Sequence, residues 1–174
     1  MKTILYTFAA LVMSFSLAAQ NNVNTQKSKV TFEIGNMIFK TVEGSFTGMT
    51  GTVVFEPSDL ANASIDVCID ASTVNTDNEK RDDHLRDPDF FEVAKYPTIC
   101  FKSTSITKTS NGYVAKGKLT MHGVTKTVSI PLTHTKGQLK GELTLLRKDY
   151  KVGESMSNMM VSDEVTINII CVFN

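Results

Sequence analysis

The side chains best suited to chemistry are concentrated in one segment, Arg81 to Pro97, which reads RDDHLRDPDFFEVAKYP. Acidic and basic side chains and a histidine stand there beside Phe90, Phe91 and Tyr96. Charged groups at this density favour water, whereas aromatic side chains gain free energy by burial. The combination predicts a polar lid whose aromatic end inserts into an apolar interior.

Five side chains in and near this segment could contact the polar head of a bound ligand, and we name them the collar. They are Arg81, Asp82, His84, Arg86 and His122. The alternative for most of them is an internal network of arginine–carboxylate pairs that holds the segment against the rest of the fold. For His122, which precedes Gly123 in a predicted hairpin turn, the alternative is a local backbone hydrogen bond. Phe90 and Phe91 could line a ligand tunnel or only anchor the lid.

The sequence offers little for catalysis or for metal binding. A hydrolytic site needs a nucleophile beside a base that a third group orients. His84 has acidic neighbours, but the sequence contains no serine or cysteine motif such as GxSxG. We therefore expect a protein that is not an enzyme, with no catalytic residue, no metal and no cofactor.

Three methionines in the segment SMSNMMV could form an adaptable apolar portal. They are Met156, Met159 and Met160, and their unbranched side chains adjust readily to irregular apolar surfaces. Thioether sulfur also binds copper(I), but no paired methionine and histidine spacing supports that alternative.

Alternation of apolar and polar residues dominates the rest of the chain and predicts strands. The predicted strands cover residues 30–34, 40–56, 63–71, 97–107, 112–121, 126–135, 138–147 and 164–173. The long connection at about 72–96 should carry structure of its own, and we expect one short helix in it. Short turns such as Asn111-Gly112 join neighbouring strands. The pattern therefore predicts an all-β fold, an eight-stranded antiparallel barrel.

A barrel of this size is either filled by its own side chains or holds one apolar ligand. The strands are apolar on one face and rich in threonine, lysine and serine on the other, so one face points inward. Small residues such as Gly44, Gly48 and Gly51 favour a cavity slightly. The pattern by itself leaves both interiors open.

The three cysteines, Cys68, Cys100 and Cys171, form no CxxC motif, so neither a redox pair nor a zinc site is indicated. Cys68 and Cys100 lie in two strands that could be neighbours, each opposite the apolar residues of its strand. A disulfide between them is one of the states that the sequence leaves open. Cys171 alternates in phase with Val165, Ile167 and Ile169, which predicts a buried free thiol.

The first 19 residues are typical of a secretory signal peptide. Lys2 precedes an apolar run from Ile4 to Leu17, and small residues follow; we expect cleavage after Ala18 or Ala19. A short membrane anchor is the alternative. The prediction is an exported, periplasmic protein with a single domain over residues 20–174 and no stable membrane insertion of the mature chain.

Charge limits the partners of the mature chain. Loss of Lys2 with the leader leaves 17 basic against 18 acidic side chains, a net charge of about −1. Nucleic acids and anionic membranes attract proteins with a basic excess, so we expect neither as the main partner. The sequence leaves open whether the protein is a monomer or a homodimer.

Two segments in combination resemble the YceI-like family of periplasmic, lipocalin-like proteins, often described as polyisoprenoid-binding. They are GSFTGMTGTVVFEP (44–57) and RDDHLRDPDFFEVAKYPTICFKS (81–103). VTFEI (30–34), GKLTMHGVTKTVSIPL (117–132), RKDYKVG (147–153) and SDEVTINI (162–169) extend the resemblance over most of the chain. It implies a lipocalin-like barrel with a long hydrophobic tunnel, and it implies no established enzymatic activity.

The resemblance also implies a ligand. We expect an exported, soluble protein that holds or carries an isoprenoid-type amphiphile, such as a quinone tail or a polyprenyl lipid. The alternatives are a stress-related structural or interaction protein with a filled barrel, and an enzyme acting on a lipid head group. The candidate tunnel residues are Phe32, Ile34, Phe46, Val54, Phe90, Phe91, Phe101, Leu119, Ile130 and Ile167.

Overall fold

A computed structural model describes residues 20–36 and 40–174, and strands account for most of them. In chain order they are β1 (Asn21–Asn22), β2 (Lys29–Asn36), β3 (Lys40–Phe46), β4 (Thr50–Val54), β5 (Ser64–Asp70), β6 (Thr98–Thr109), β7 (Gly112–Met121), β8 (Val124–Thr135), β9 (Gln138–Leu146) and β10 (Val161–Val172). The helix α1 spans Glu79–Arg86, and single 3₁₀ turns span Ala71–Thr73 and Arg147–Tyr150. The predicted signal peptide lies outside the described residues.

Within the described residues the ten strands form one antiparallel sheet, in the order β1-β4-β5-β6-β7-β8-β9-β10-β2-β3. The sheet must curl, because β3 and β4 are consecutive in the chain but stand near opposite edges of it. The residues between them are Thr47, Gly48 and Met49. Gly48 has a φ of 69°, a left-handed conformation that glycine adopts without steric cost.

The all-β class and a short helix in the long connection are confirmed, but the prediction of eight strands is corrected to ten in the described part of the chain. The segment predicted as one strand over residues 40–56 is two strands, β3 and β4, because the chain bends at Gly48. The other addition, β1, pairs with β4 over two residues and is too short to show an alternating pattern. The helix begins after Asn78, whose side chain accepts a hydrogen bond from Arg81 N at 3.0 Å.

One end of the curled sheet is closed by an aromatic cluster. The ring of Phe55 lies 5.0 Å from that of Tyr113 and 4.7 Å from that of His134. His134 also stacks on Phe173 with 6.4 Å between ring centroids. These residues lie together at one end of the sheet. The long connection and α1 lie at the other end, where β5 ends and β6 begins. In the described part of the chain, no helix is long and apolar enough to cross a membrane.

A disulfide joins Cys68 and Cys100 on the outer face of the sheet. The two residues are directly opposite each other in β5 and β6, while their neighbours Ile69 and Phe101 are buried on the inner face. The pairing that the sequence left open is therefore present. It closes a loop with a sequence separation of 32 residues.

Removing this bridge should lower the stability of the folded state. In the double variant Cys68→Ala/Cys100→Ala, we expect the free energy of unfolding to fall by about 3–4 kcal/mol, because the unfolded chain regains the entropy of the open loop. Urea denaturation followed by circular dichroism measures the change. Cys171→Ala, which leaves the bridge intact, is the control for losing a cysteine. An unchanged urea midpoint in the double variant would contradict a stabilising bridge.

Cys171 is a buried free thiol, as predicted, with 5% of its surface exposed. Burial raises the pKa of its thiol to about 11. Burial and the charge of Asp149 likewise raise the pKa of the Tyr150 phenol to about 12. Both groups therefore stay neutral in the folded protein up to a higher pH than in the unfolded chain.

These two groups make the folded state sensitive to alkali. Above about pH 9 the unfolded chain releases the thiol and phenol protons before the folded protein does, so stability should fall as pH rises towards about 12. The full loss is on the order of 3 kcal/mol for each group. Urea midpoints measured at neutral and alkaline pH test this. The variant Cys171→Ala/Tyr150→Phe lacks both titrating groups and should show a flatter profile, whereas equal profiles would refute the assignment.

Candidate functional site

An apolar cavity of about 140 Å³ lies inside the curled sheet. Six of the residues predicted to line a tunnel surround it, and they are Phe32, Phe46, Phe101, Leu119, Ile130 and Ile167. They come from β2, β3, β6, β7, β8 and β10, which the curl brings to face one another. Within the described residues, Arg147 is the one charged side chain in its wall.

Two glycines in strands that surround the cavity, Gly44 and Gly117, leave room for aromatic rings. A Cβ atom at Gly44 would overlap the ring of Phe32, its partner across β2 and β3. A Cβ atom at Gly117 would stand 2.7 Å from the ring of Phe101. The small residues thus set how far the aromatic rings tilt into the wall, and thereby the width of the cavity.

A second cavity of about 320 Å³, which we name the mouth, borders the first. The two share Phe32, Arg147 and Val165. Three further predicted residues, Ile34, Phe90 and Phe91, line the mouth. Met156 and Met160 line it as well, and the neighbouring Met159 is 78% exposed. The methionine segment therefore forms part of the rim.

Phe90 and Phe91 connect the lid segment to the interior. The ring of Phe91 stands edge-on to that of Phe46 with 5.3 Å between centroids. Phe90 is buried in a cluster with Met121, Tyr150 and Val152. The predicted insertion of the aromatic end is confirmed, and both phenylalanines also form part of the mouth.

Val54 lies in the wall of neither cavity, contrary to its prediction. Phe46 faces inward, and in an unbroken strand Val54 would share its face. The bend at Gly48 shifts the alternation by one residue, so that Met49, Val53 and Phe55 are buried instead.

Two members of the collar, Arg81 and His84, line the mouth. Arg81 Nε donates to Thr76 Oγ1 at 2.7 Å and its Nη2 donates to Thr76 O at 2.8 Å. The ring of His84 lies edge-on to Phe90 at 4.9 Å, with Nε2 4.0 Å from the Asp89 carboxylate. These are the collar side chains that the fold brings to the wall of the mouth.

The other three members hold the lid in place. Asp82 is buried and accepts hydrogen bonds from the backbone N–H and hydroxyl of Thr76. Arg86 donates to the carbonyl oxygens of Ser72 at 2.9 Å and Val74 at 3.0 Å, and pairs with Asp83. Arg86 therefore belongs to an internal network that holds the lid, which was the alternative to contacting a ligand. Its main acceptors are backbone carbonyls.

His122 sits behind the cavity wall. It has a φ of 49° in the turn between β7 and β8. Its Nδ1 lies 3.2 Å from Tyr150 O, its Nε2 lies 3.5 Å from the Glu92 carboxylate, and its ring contacts Tyr96. His122 lines neither cavity. Through these contacts it joins the lid segment to the turn that follows β9.

Arg147 is the site residue that sequence reasoning missed. It is 5% exposed, and all its donors point to backbone carbonyls. Nε donates to Ser162 O, Nη1 to Val152 O and Gly153 O, and Nη2 to Met156 O and Val161 O. Burial lowers the pKa of the guanidinium, and the nearby charge of Asp163 opposes that shift. The sequence feature that could have indicated Arg147 is the alternation of β9. Arg147 continues the inward-facing positions of Leu143 and Leu145.

Arg147 positions the segment that forms one wall of the mouth. The carbonyls that it binds lie on residues 152–162, which include the methionine rim. Gly153 N also donates to Asp89 O at 2.9 Å, and Phe90 packs where a Cβ atom at Gly153 would stand. The lid segment and the methionine segment are therefore locked to each other around Phe90 and Arg147.

This arrangement is suited to binding. Its wall is apolar, and its polar groups gather at the junction with the mouth. Thr76 carries the one hydroxyl nucleophile among the described residues of the two walls, and it is hydrogen-bonded to Asp82 and Arg81. Among residues 20–36 and 40–174, no group of three histidine, cysteine, aspartate or glutamate side chains is arranged to hold a metal ion.

Comparisons with known proteins place the chain among relatives over most of its length. A family model described as the YceI-like domain matches residues 22–173. A UPF0312 protein of Vibrio cholerae is 30% identical over 135 residues, which is 74% of this chain and 71% of the relative. Protein YceI of Escherichia coli O157:H7 is 35% identical over 128 residues, 71% of this chain and 67% of the relative.

Solved structures share the fold. BcnA of Burkholderia cenocepacia has a TM-score of 0.79 at 29% identity, covering 86% of this chain and 98% of that one. A polyisoprenoid binding domain from Saccharophagus degradans, implicated in plant cell wall breakdown, has a TM-score of 0.68 at 17% identity. That alignment covers 91% of this chain and 99% of that one, and at this identity it shows the fold alone.

Proposed function

This chain belongs to the YceI-like family, and from that membership and its apolar interior we propose that it binds an isoprenoid-type amphiphile. A quinone tail or a polyprenyl lipid would place its chain in the cavity and its head at the mouth. The observation that carries the proposal is an apolar cavity inside the sheet that shares Phe32, Arg147 and Val165 with the wall of the mouth. A filled barrel would have no such cavity.

The apolar wall can supply enough free energy without a strong head-group contact. Burying one methylene contributes about 0.8 kcal/mol, so one isoprene unit contributes roughly 4 kcal/mol. A micromolar complex needs about 8 kcal/mol net, after association costs of about 4–15 kcal/mol. Burial of about three to six isoprene units therefore suffices. A longer chain would fold back or extend through the mouth.

We place this function outside the cytoplasm, in an exported protein that holds or carries its ligand through an aqueous compartment. The leader-like residues 1–19 support export, and so does the disulfide between Cys68 and Cys100, because such bonds persist in oxidising compartments. The intact mass of protein recovered from the periplasm tests this. A mass that includes residues 1–19 would overturn the proposal of a cleaved leader.

The ligand itself can be identified by mass spectrometry of organic extracts. The protein should be purified without detergent from its own periplasm, so that no additive displaces a natural lipid. A stoichiometric isoprenoid would support the proposal. A different lipid would retain the binding role and correct the ligand, whereas no lipid, even after incubation with quinones and polyprenols, would favour a filled interior.

The same samples test whether the protein is a carrier or an enzyme. We propose a carrier, because the hydroxyl of Thr76, the one hydroxyl in the described part of the two walls, is held by hydrogen bonds with Asp82 and Arg81. A bound lipid should then be recovered chemically unchanged after long incubation with the protein. A modified head group that disappears in the variant His84→Ala would instead establish an enzyme acting at the mouth.

A further inference from the structure

The mouth is lined by basic side chains and by no acidic ones among the described residues. Arg81, His84 and Arg147 contribute to its wall, and the remaining wall is apolar apart from Thr76. Three carboxylates stand close by without lining it, those of Asp82, Asp89 and Asp163. A head group that enters the mouth therefore meets the basic groups first.

Arg81 keeps hydrogen-bond donors that the protein does not use. A guanidinium carries five N–H donors, and two of them are directed to Thr76. Within residues 20–36 and 40–174, Nη1 of Arg81 has no acceptor. The carboxylate of Asp82 is bonded to Thr76 and not directly to Arg81. Arg81 is therefore a half-buried residue in the wall of the mouth, with N–H groups left to bind a head group.

Arg147 adds charge to the same space without adding donors. Its five N–H groups are all occupied by backbone carbonyls. Asp163 is the carboxylate that acts on this charge, and it also accepts a hydrogen bond from Lys148 N at 3.0 Å. His84 has Asp89 as its acidic neighbour at 4.0 Å. Both arginines therefore contribute positive charge at the mouth, but of the two only Arg81 has N–H groups left for a hydrogen bond to a ligand.

We propose that the mouth selects amphiphiles with an anionic head, a carboxylate or a phosphate, and that Arg81 binds this head through its free N–H groups. The inference rests on the proposed function, because it concerns the head of the ligand whose chain occupies the cavity. Arginine suits the role, since its planar guanidinium pairs with both kinds of anion through two parallel hydrogen bonds.

Three ligands that share one hydrocarbon chain test the selection. They are geranylgeraniol, geranylgeranoic acid and geranylgeranyl phosphate, each titrated against a bound naphthylamine probe at neutral pH. The chain contains no tryptophan, so the probe is read without interference. At least one anion should bind about tenfold to a hundredfold more tightly than the alcohol, and added salt should reduce the difference. The tighter of the two anions identifies the head chemistry.

Variants at two positions of α1 test whether Arg81 is responsible for the selection of an anionic head. Arg81→Met should bring the affinity ratio of anion to alcohol close to one, and Arg81→Lys should retain part of it, because lysine keeps the charge but not the planar pair of donors. Lys80→Met is the matched control. Lys80 is exposed, lies beside Arg81 in α1 and does not line the mouth, so its loss should leave the ratio unchanged. Thermal unfolding establishes that each variant is folded.

The outcomes separate this inference from the proposed function. If the alcohol binds as tightly as both anions, the head-group selection is wrong and the proposed function stands. If none of the three ligands binds, the proposed function fails and the selection fails with it. A folded Arg81→Met variant that retains the full preference for an anion would overturn the assignment to Arg81.

Discussion

Replacing Arg147 with methionine is expected to lower the free energy of unfolding by about 3–5 kcal/mol. Methionine fills much of the space of the arginine stem, so the loss comes mainly from hydrogen bonds. Five backbone carbonyls between Val152 and Ser162 lose their donor, and an unsatisfied buried polar group costs about 1–3 kcal/mol. Relaxation of the segment and entering water should recover part of the sum.

Urea denaturation measures the global effect, and hydrogen exchange locates it. Backbone amides of residues 152–161 should exchange faster in Arg147→Met, because the segment loses its anchor while the strands remain paired. Arg147→Lys retains the charge and up to three donors, so it should be intermediate. It also keeps the test informative if the methionine variant does not fold.

Lys148→Met is the matched control for this prediction. Lys148 is the next residue along the chain and is half-buried. Its backbone N–H donates to Asp163 and its carbonyl oxygen accepts from Lys151 N. Its replacement should change stability by no more than about 0.5 kcal/mol. A folded Arg147→Met variant with wild-type stability and unchanged exchange at the mouth would show that Arg147 does not hold the segment.

Phe101→Glu should abolish binding of an isoprenoid chain. Phe101 is buried and lines the apolar cavity from β6. A carboxylate there must either remain charged in an apolar space or take up a proton, and both changes oppose burial of a hydrocarbon chain. We expect a loss of at least about a hundredfold in affinity, since about 3 kcal/mol of transfer free energy is at stake. Displacement of a fluorescent probe by geranylgeraniol measures it.

A cavity-filling variant covers the case in which Phe101→Glu does not fold. Ile167→Trp narrows the same cavity from β10 without adding charge, and it should also weaken binding. Thr107→Glu is the control for charge, because Thr107 is exposed on β6 and receives the same carboxylate outside the cavity. Retained affinity in folded Phe101→Glu and Ile167→Trp variants would place the ligand elsewhere on the protein.

Arg81 and Arg147 would have different roles at the mouth of this protein. Arg147 is fully satisfied by the backbone, so it holds the wall and contributes charge. Arg81 lies at the mouth with N–H donors to spare and is, of the two, the one that can hydrogen-bond to a ligand. The two sets of variants should therefore have different signatures, with loss of stability dominating for Arg147 and loss of head-group preference for Arg81.

The sequence by itself determined the features that depend on local periodicity. Alternation placed Phe32, Phe46, Phe101 and Ile167 on the inward face, and it put Cys68 and Cys100 on the outward one. Successive side chains of a strand point to opposite faces wherever the strand lies, so this information needs no tertiary structure. The charged and aromatic composition of residues 81–97 likewise indicated a lid with an inserted end.

Tertiary structure alone decided the features that depend on where distant segments meet. The bend at Gly48 divided one predicted strand into two and reversed the phase at Val54, because a single residue can change the face of every position after it. Arg86 and His122 are residue types that could bind a ligand head, but their hydrogen-bond and ionic partners hold them outside the wall of the mouth. Arg147 continued an apolar alternation, and only the fold of residues 152–162 around its guanidinium gave that buried charge its partners.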